Sequence, residues 1–347
     1  MGISKSCKYN FGIMKNGENN LITDVKGVRV GHTTLIDGDI QTGVTAIIPS
    51  EDNIFLSKML CASHVVNGFG KSIGLVQIDE LGTLETPILL TNTFSVPAAS
   101  SALLKYMIKE NSDIGDTTST VNPVVAECND GYLNDIRGMH ITEKDCLNAI
   151  ENAAAVFSEG AVGAGRGMTC YGLKGGIGSA SRVFEINGKE YTLGTLLLTN
   201  FGTIRDLTLG GEKIGEKIFQ LKQEENVDKG SCIIVIATDA PLSSRQLKRL
   251  CKRAQSGLAR TGTISGNGSG EISIAFTTKN RVPHYPTKEN IIIECIHDDN
   301  INPAFRAVIE CVEESVASSI LQAETVIGRK GHQRISFNDT LEKYNLQ

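Results

Sequence analysis

A chain of 347 residues is long enough to bury about 75% of the surface that it exposes when unfolded, so no disulfide or metal is needed to hold the fold together. Its 40% hydrophobic and 21% charged residues are typical of a globular protein, and a net charge of −5 argues against nucleic acid or an anionic membrane as a partner. Nine cysteines, none in a C-x-x-C pair, indicate free thiols and a cytoplasmic location.

The amino-terminal half predicts strands and helices that are mixed along the chain. The first 21 residues are polar and no later run is long enough to cross a membrane, so neither a signal peptide nor a transmembrane helix is expected. β-Branched residues bounded by Gly, Asp or Pro predict strands over residues 26–34, 42–49, 86–92 and 121–128. An apolar stripe that follows Pro97 predicts a helix over residues 95–109, and a second helix begins at Thr142.

The carboxyl-terminal half contains the clearest turn signal of the chain. Asn187 and Gly188 separate two apolar, β-branched runs and predict a hairpin with a two-residue turn, whose second strand continues to Thr199. Residues 205–230 are polar and charged, which predicts a solvent-exposed connection that could be cut without breaking the core. Beyond it, strands and helices are expected over residues 231–238, 244–259, 272–277 and 302–326.

Three other patterns are interpreted as structural. The glycine-rich run 160–178 matches no nucleotide-binding motif and indicates tight turns where backbones pack closely. The basic run 245–253 lies opposite the apolar stripe of its helix and predicts a solvated face. The six histidines are scattered singly, so they predict neither a metal site nor a Ser-His-Asp arrangement.

The junction between Gly230 and Ser231 carries the main chemical signal. A charged stretch ends at Gly230, and Ser231 then begins a run of apolar residues that is typical of a buried strand. Cleavage between them would give Ser231 a free α-amine, with a pKa of about 7.7 to 8.0, that can accept the proton of its own hydroxyl. The sequence therefore predicts the precursor of an amide hydrolase, with a larger chain 1–230 and a smaller chain 231–347 in one domain.

Six motifs, in the same order along the chain, carry a family resemblance over residues 22–280. They are Ile22-Thr23-Asp24-Val25 with Gly27-Val28-Arg29-Val30-Gly31-His32, Thr42-Gly43-Val44-Thr45-Ala46, Asn129-Asp130-Gly131-Tyr132-Leu133-Asn134-Asp135, Lys174-Gly175-Gly176-Ile177-Gly178, Ala237-Thr238-Asp239-Ala240-Pro241-Leu242 and Gly266-Asn267-Gly268-Ser269-Gly270-Glu271. The chain resembles the DmpA-like L-aminopeptidase/D-esterase family, which includes the β-peptidyl aminopeptidases.

The resemblance implies an α/β fold, an αββα sandwich of mixed or antiparallel sheets covered by helices, similar to the N-terminal-nucleophile hydrolases. It also implies self-cleavage between Gly230 and Ser231. The mature enzyme would release N-terminal residues from short peptides, amides or esters through an acyl-enzyme, as a homo-oligomer of cleaved pairs. No metal or other cofactor is expected, because the free amine acts as the base.

Site residues follow from the same resemblance, position by position. Ser231 would be the nucleophile, with Ser269 and Glu271 orienting it and its amine, unless residues 266–270 are merely a flexible turn. Asn200 would donate its amide to the oxyanion of the tetrahedral intermediate. Tyr132 would assist the oxyanion or position the substrate, and the alternative is a core ring.

The remaining expectations concern the substrate. Glu127 is the candidate carboxylate for the substrate amine, with Asp130 or Asp135 as alternatives that would otherwise cap the loop. Preference among L-, D- and β-residues is left open. Two other functions also stay open at this point: an acyltransferase like ornithine acetyltransferase, which usually has threonine as its nucleophile, and an uncleaved scaffold that binds amino-acid-like ligands.

Overall fold

The computed structural model describes residues 9–222, 230–286 and 288–346. The strands are β1 (Arg29–Asp37), β2 (Ile40–Ile48), β3 (Ser57–Gly68), β4 (Thr83–Leu84), β5 (Ile88–Asn92), β6 (Val124–Cys128), β7 (Thr169–Cys170), β8 (Leu173–Lys174), β9 (Ile177–Ile186), β10 (Lys189–Asn200), β11 (Ser231–Thr238), β12 (Gly270–Pro283), β13 (Val326–Ile327) and β14 (Gln333–Arg334). The α-helices are α1 (Leu75–Leu81), α2 (Val96–Glu110), α3 (Glu143–Glu151), α4 (Ile214–Lys222), α5 (Ser244–Arg260), α6 (Asn302–Leu321) and α7 (Phe337–Lys343).

Two mixed sheets form the centre of the molecule. The smaller sheet has the strand order β1-β2-β5-β6, and the larger has the order β4-β3-β12-β11-β10-β9. Pairing is antiparallel except between β5 and β6 and between β11 and β12. Each parallel pair needs a crossover connection, and α2 and α5 supply these two connections. The mixed sheets expected from the sequence are therefore present.

Successive side chains of a strand point to opposite faces of its sheet, and both faces of each sheet border an apolar core. The three apolar cores therefore lie between four layers of helices and sheets. In β11, Ile233 and Val235 face the space between the two sheets, whereas Ile234 and Ile236 face α5 and α6. On the other side, α2 and α3 cover the outer face of the smaller sheet, where Ala99 and Ala149 pack against Leu89. A sheet that is apolar on both faces must be covered on both faces, and the result is the predicted αββα sandwich.

One prediction about this architecture is wrong. The segment expected to be a solvent-exposed connection contains α4, and Leu207, Leu209, Ile214 and Ile218 are buried in the core beneath α5 and α6. These apolar residues recur at intervals of two to five positions, and the polar and charged residues between them lower the average hydrophobicity of the segment, so the buried positions are not recognised. Residues 223–229, the last part of the predicted linker, lie outside the described residues.

Other predictions are confirmed with shifted ends. The hairpin turns at Asn187 and Gly188, both with positive φ, as the two-residue turn requires. The last long helix ends at Leu321 rather than Val326, and β3 and α1 were not predicted. In the glycine-rich run, a Cβ on Gly178 would overlap the backbone of α6, which confirms close backbone packing. Among the described residues, no helix is long and apolar enough to cross a membrane.

Candidate active site

Ser231 is the first residue of β11 and lies between two neighbouring strands. It pairs with Asn200, the last residue of β10, while the next position, Cys232, pairs with Glu271 of β12. The side chain of Ser231 is almost fully buried, with 5% of the residue exposed. A Cβ on Gly230 would overlap the carbonyl oxygen of Asn200, so a glycine is required immediately before the serine. The strand register therefore places a serine hydroxyl at one end of the larger sheet.

The start of β12 contacts the hydroxyl of Ser231. The backbone N–H of Gly270 donates to Ser231 Oγ at 3.1 Å. Ser269 Oγ donates to Glu271 Oε1 at 3.2 Å, and Glu271 is completely buried. Ser269 and Glu271 are two positions apart along an extended chain and so point to the same side. Ser269 and Glu271 are thus bonded to each other on the segment whose Gly270 N–H contacts Ser231, and their role in orienting the nucleophile stays a prediction.

The turn that precedes β12 is tied to the neighbouring strand. Asn67, near the end of β3, donates its side-chain amide to the carbonyl oxygens of Gly266 at 3.3 Å and Asn267 at 3.1 Å, and also contacts that of Ser269. These contacts tie the backbone on which Ser269 and Gly270 are placed to β3. Sequence reasoning missed Asn67 because it did not predict β3, and the two segments are about 200 positions apart.

Asn200 is held by both ends of its side-chain amide. Its Oδ1 accepts from the backbone N–H of Thr169 at 2.9 Å, and its Nδ2 donates to the carbonyl oxygen of Asn129 at 3.0 Å. A primary amide has two N–H donors, so the contact with Asn129 leaves a second N–H beside Ser231. An N–H fixed in this way is the kind of group that stabilises an oxyanion.

Tyr132 lies at the surface, in the loop that follows β6. The residue is 41% exposed, so the alternative of a core ring is wrong. Its ring stacks on His332, with centroids 4.6 Å apart, and the Arg334 guanidinium carbon lies 3.6 Å from its centroid. Among the described residues no hydrogen bond joins Tyr132 to Ser231. Sequence reasoning treated His332 as structural and did not consider Arg334, since both are about 200 positions away.

Glu127 of β6 is buried and faces a segment that borders Ser231. The backbone N–H of Lys71 donates to Glu127 Oε1 at 2.9 Å, and the Thr93 hydroxyl donates to Oε2. Among the described residues, no lysine, arginine or histidine makes an ion pair with this carboxylate. A Cβ built on Gly70 would be 3.6 Å from Glu127 Oε1 and 3.7 Å from Ile272 of β12. Glu127 is therefore an anchored anion close to the start of β12.

The two alternative carboxylates already have side-chain partners. Asp130 accepts from Thr42 Oγ1 at 2.6 Å and from Asn134 Nδ2 at 3.1 Å, and burial raises its pKa from 3.8 to about 7. Asp135 contacts His140, with 3.1 Å between Oδ2 and Nε2. These contacts anchor the loop, so Glu127 stays the better candidate for a substrate amine.

A serine hydroxyl at the head of a buried strand, in an αββα sandwich, is the arrangement expected of a serine hydrolase of the N-terminal-nucleophile type. The profile of peptidase family S58 matches residues 20–334, and the chain belongs to this family. It is 36% identical to the β-peptidyl aminopeptidase BapA of Sphingosinicella microcystinivorans over 342 residues, which cover 92% of this chain and 85% of that protein.

Solved structures agree with this assignment. The PH0078 protein from Pyrococcus horikoshii OT3 superposes with a TM-score of 0.92, at 49% identity, over 97% of this chain and 98% of the other. The L-aminopeptidase D-Ala-esterase/amidase from Ochrobactrum anthropi gives 0.89 at 34% identity over 96% of each chain. That enzyme is described as a prototype of the serine aminopeptidases and a variant of the Ntn hydrolase fold. The predicted fold and family are confirmed, and the protein is a serine aminopeptidase.

Proposed function

We propose that Ser231 is the nucleophile of this aminopeptidase and becomes active when the bond between Gly230 and Ser231 is cleaved by the chain itself. The observation that carries the proposal is the position of Ser231 Oγ, which is buried at the head of β11 and receives the N–H of Gly270 at 3.1 Å. The substrates are short peptides, amides or esters with a free N-terminal amine. The BapA and Ochrobactrum relatives support this class of substrate.

Self-cleavage proceeds in two balanced steps. Ser231 Oγ attacks the carbonyl carbon of Gly230, a C–O bond forms, the C–N bond breaks, and the hydroxyl proton passes to the departing amine. Water then hydrolyses the ester, which leaves a carboxylate on Gly230 and a free amine on Ser231. The close approach of Gly230 to the backbone of Asn200, which leaves no room for a Cβ, supports this site of cleavage because it places the bond beside the proposed oxyanion donor.

The free amine acts as the general base in turnover. With a pKa of about 7.7 to 8.0, it is partly unprotonated near neutral pH and accepts the Ser231 proton as Oγ attacks the substrate carbonyl. The second N–H of Asn200 donates to the resulting oxyanion. Departure of the substrate amine gives an acyl-enzyme on Ser231, and water hydrolyses it by the same route.

Two carboxylates have separate roles. Glu271, buried and hydrogen-bonded to Ser269, stabilises the protonated amine that forms on Ser231 during catalysis. Glu127 binds the ammonium group of the substrate, since its carboxylate is anchored by Lys71 N–H and Thr93 but forms no ion pair within the described residues. Tyr132, which is exposed in the loop after β6, positions the substrate. No metal or cofactor takes part in the proposed steps.

The two chains of the mature protein, 1–230 and 231–347, would stay interlocked as one domain. β10 of the larger chain pairs with β11 of the smaller, and β3 pairs with β12, so both chains contribute to the same sheet. We also propose that the cleaved pairs assemble into a cytoplasmic homo-oligomer. The free state of the eight cysteines within the described residues is compatible with a reducing compartment.

The first experiment is the intact mass of the purified protein under denaturing conditions, with sequencing of the amino terminus of any smaller fragment. Two chains, the smaller beginning Ser231-Cys232-Ile233, are expected. A single unbroken chain that nevertheless hydrolyses amino-acid amides would overturn the free-amine mechanism. The same sample, assayed with and without an added amine as acyl acceptor, separates hydrolysis from acyl transfer.

A further inference from the structure

The ammonium group of Lys174 is completely buried and contacts three backbone carbonyl oxygens. Its Nζ lies 2.8 Å from Gly165 O, 2.8 Å from Met168 O and 2.6 Å from Gly175 O. Burial lowers the pKa of this side chain, and the charge of Arg166 acts in the same direction. Three acceptors nevertheless require three N–H donors, which only the protonated form has. Lys174 therefore places a positive charge inside the protein close to β7 and β8.

The contact with Met168 leads directly to the candidate active site. The carbonyl of Met168 and the N–H of Thr169 belong to one peptide group, which is planar. Lys174 donates to the oxygen of that peptide group, and the N–H of the same group, which belongs to Thr169, donates to Asn200 Oδ1 at 2.9 Å. Asn200 Nδ2 in turn donates to Asn129 O at 3.0 Å. One continuous chain of hydrogen bonds thus runs from the lysine to the amide beside Ser231.

We infer that Lys174 is a positioning residue for the oxyanion donor, acting on Asn200 through the peptide group between Met168 and Thr169. A cation on the carbonyl polarises the peptide and makes its N–H a stronger donor to Asn200 Oδ1. This holds the orientation of the Asn200 amide and increases the positive charge on its remaining N–H. The inference rests on the proposed role of Asn200.

Arg166 provides the matched comparison within the same segment. It is also a mostly buried cation, but its Nε donates to Gln41 Oε1 at 2.7 Å and its Nη1 contacts Glu324 at 2.5 Å. Both partners lie away from Asn200. Removal of either cation disturbs the same stretch of chain, and only the removal of Lys174 interrupts the link to Asn200.

The test is a double-mutant cycle between Lys174→Met and Asn200→Ala, with Arg166→Met as the control. Each protein is measured for folding by circular dichroism, for the rate of self-cleavage, and for kcat and KM per mole of free Ser231 amine. Loss of a single oxyanion donor commonly lowers kcat by about 10²- to 10³-fold, so weakening it is expected to lower kcat and the cleavage rate by about 10- to 100-fold, with KM changed less than about threefold. In the Asn200→Ala background, Lys174→Met should lower kcat and the cleavage rate by less than about a further threefold.

Several results would overturn the inference. One is a folded Lys174→Met protein with wild-type kcat and cleavage rate. Another is a loss of kcat in Lys174→Met that multiplies fully with the loss in Asn200→Ala. A third is an equal loss of kcat in Arg166→Met. Should Lys174→Met not fold, Lys174→Gln retains two N–H donors and is expected to show a smaller loss of kcat. A further check uses the wild-type protein, in which ¹⁵N NMR at pH 7 must show a protonated Lys174; a neutral amine would contradict the inference.

Failure of the inference can be told apart from failure of the proposed function. If wild-type protein is neither cleaved nor active, the proposed function fails and the cycle is not interpreted. If wild-type protein is cleaved and active, and Asn200→Ala is impaired, a normal rate for Lys174→Met rejects the role of Lys174 alone.

Discussion

The candidate active site has two halves that are held in different ways. Ser231, Asn200 and Glu271 lie on adjacent strands of the larger sheet and are almost fully buried. Tyr132 lies in the loop 129–135, is exposed, and is held by a ring stack and a cation from the region of β13 and β14. A strand ladder fixes groups in register, whereas a loop can adjust to different ligands. We therefore assign bond making to the strand half and substrate recognition largely to the loop half.

The largest expected effect is on the strand half. Ser231→Ala should leave an uncut chain and lower kcat by at least about 10³-fold, because it removes the nucleophile for both reactions. Mass spectrometry and an amide-hydrolysis assay measure the two outcomes. Ser273→Ala is the control, since Ser273 is another buried serine, in the neighbouring strand β12, and donates to Cys251 O at 3.1 Å. Continued cleavage in Ser231→Ala would rule out the intramolecular attack.

Glu271→Gln tests the charge behind the nucleophile. The substitution keeps the shape and removes the anion, so we expect kcat/KM to fall by about 10- to 100-fold at neutral pH. A nearby carboxylate favours the protonated form of an amine, so its loss should move the acid limb of the pH profile to lower pH. The profile of kcat/KM against pH measures this. An unchanged profile would show that Glu271 does not interact with the Ser231 amine.

Glu127→Gln separates recognition from bond making. We expect KM for substrates with a free N-terminal amine to rise by about tenfold, because an ammonium then meets a neutral amide. The rate of self-cleavage should stay within about twofold of wild type, because that reaction involves no substrate amine. Steady-state kinetics and a cleavage time course test both points. Equal losses in the two reactions would place Glu127 in the bond-making half.

Asp130 links the stability of the loop half to pH. Its pKa is raised from 3.8 to about 7 by burial, so the folded state keeps a proton that the unfolded state loses. That contribution to stability is fully present below about pH 4 and is lost as the pH rises through 7, at about 1.4 kcal/mol for each pH unit in the window. The test compares the free energy of unfolding in urea of uncut Ser231→Ala with that of the same chain carrying Asp130→Asn, at pH 4.5, 5.5 and 6.5. The free energy of the chain with Asp130, relative to that of the chain with Asp130→Asn, should fall as the pH rises. A difference in free energy that does not change with pH would contradict the raised pKa of Asp130.

The smallest expected effect is at the edge of the loop half. His332→Ala removes the ring that stacks on Tyr132 and the Nδ1 contact, 2.8 Å long, with the Tyr132 carbonyl oxygen. We expect KM to rise by about two- to fivefold, with kcat and self-cleavage unchanged, because the loop is loosened while the strand ladder is not. A fall in kcat without a change in KM would move Tyr132 to the bond-making half.

The strand half was largely predictable from the sequence because its signals are local. A glycine before a serine that heads an apolar run predicts the cleavage site and β11, whereas Ser269 and Glu271 came from the family resemblance. The family resemblance then assigned Asn200 and Tyr132. The contacts that hold these residues had no such signal, since Asn67, Thr169 and His332 reach the site from distant parts of the chain.

By itself, the sequence determined the order of most strands and helices, the hairpin at Asn187, and the residue types available for an N-terminal serine mechanism. These depend on periodicity and turn chemistry among neighbours in the chain. Only the tertiary structure decided that α4 joins the core, that Lys174 contacts the peptide group bonded to Asn200, and that β13 and β14 flank the loop of Tyr132. These contacts join irregular turns or different layers of the fold, so they leave no periodic pattern in the sequence.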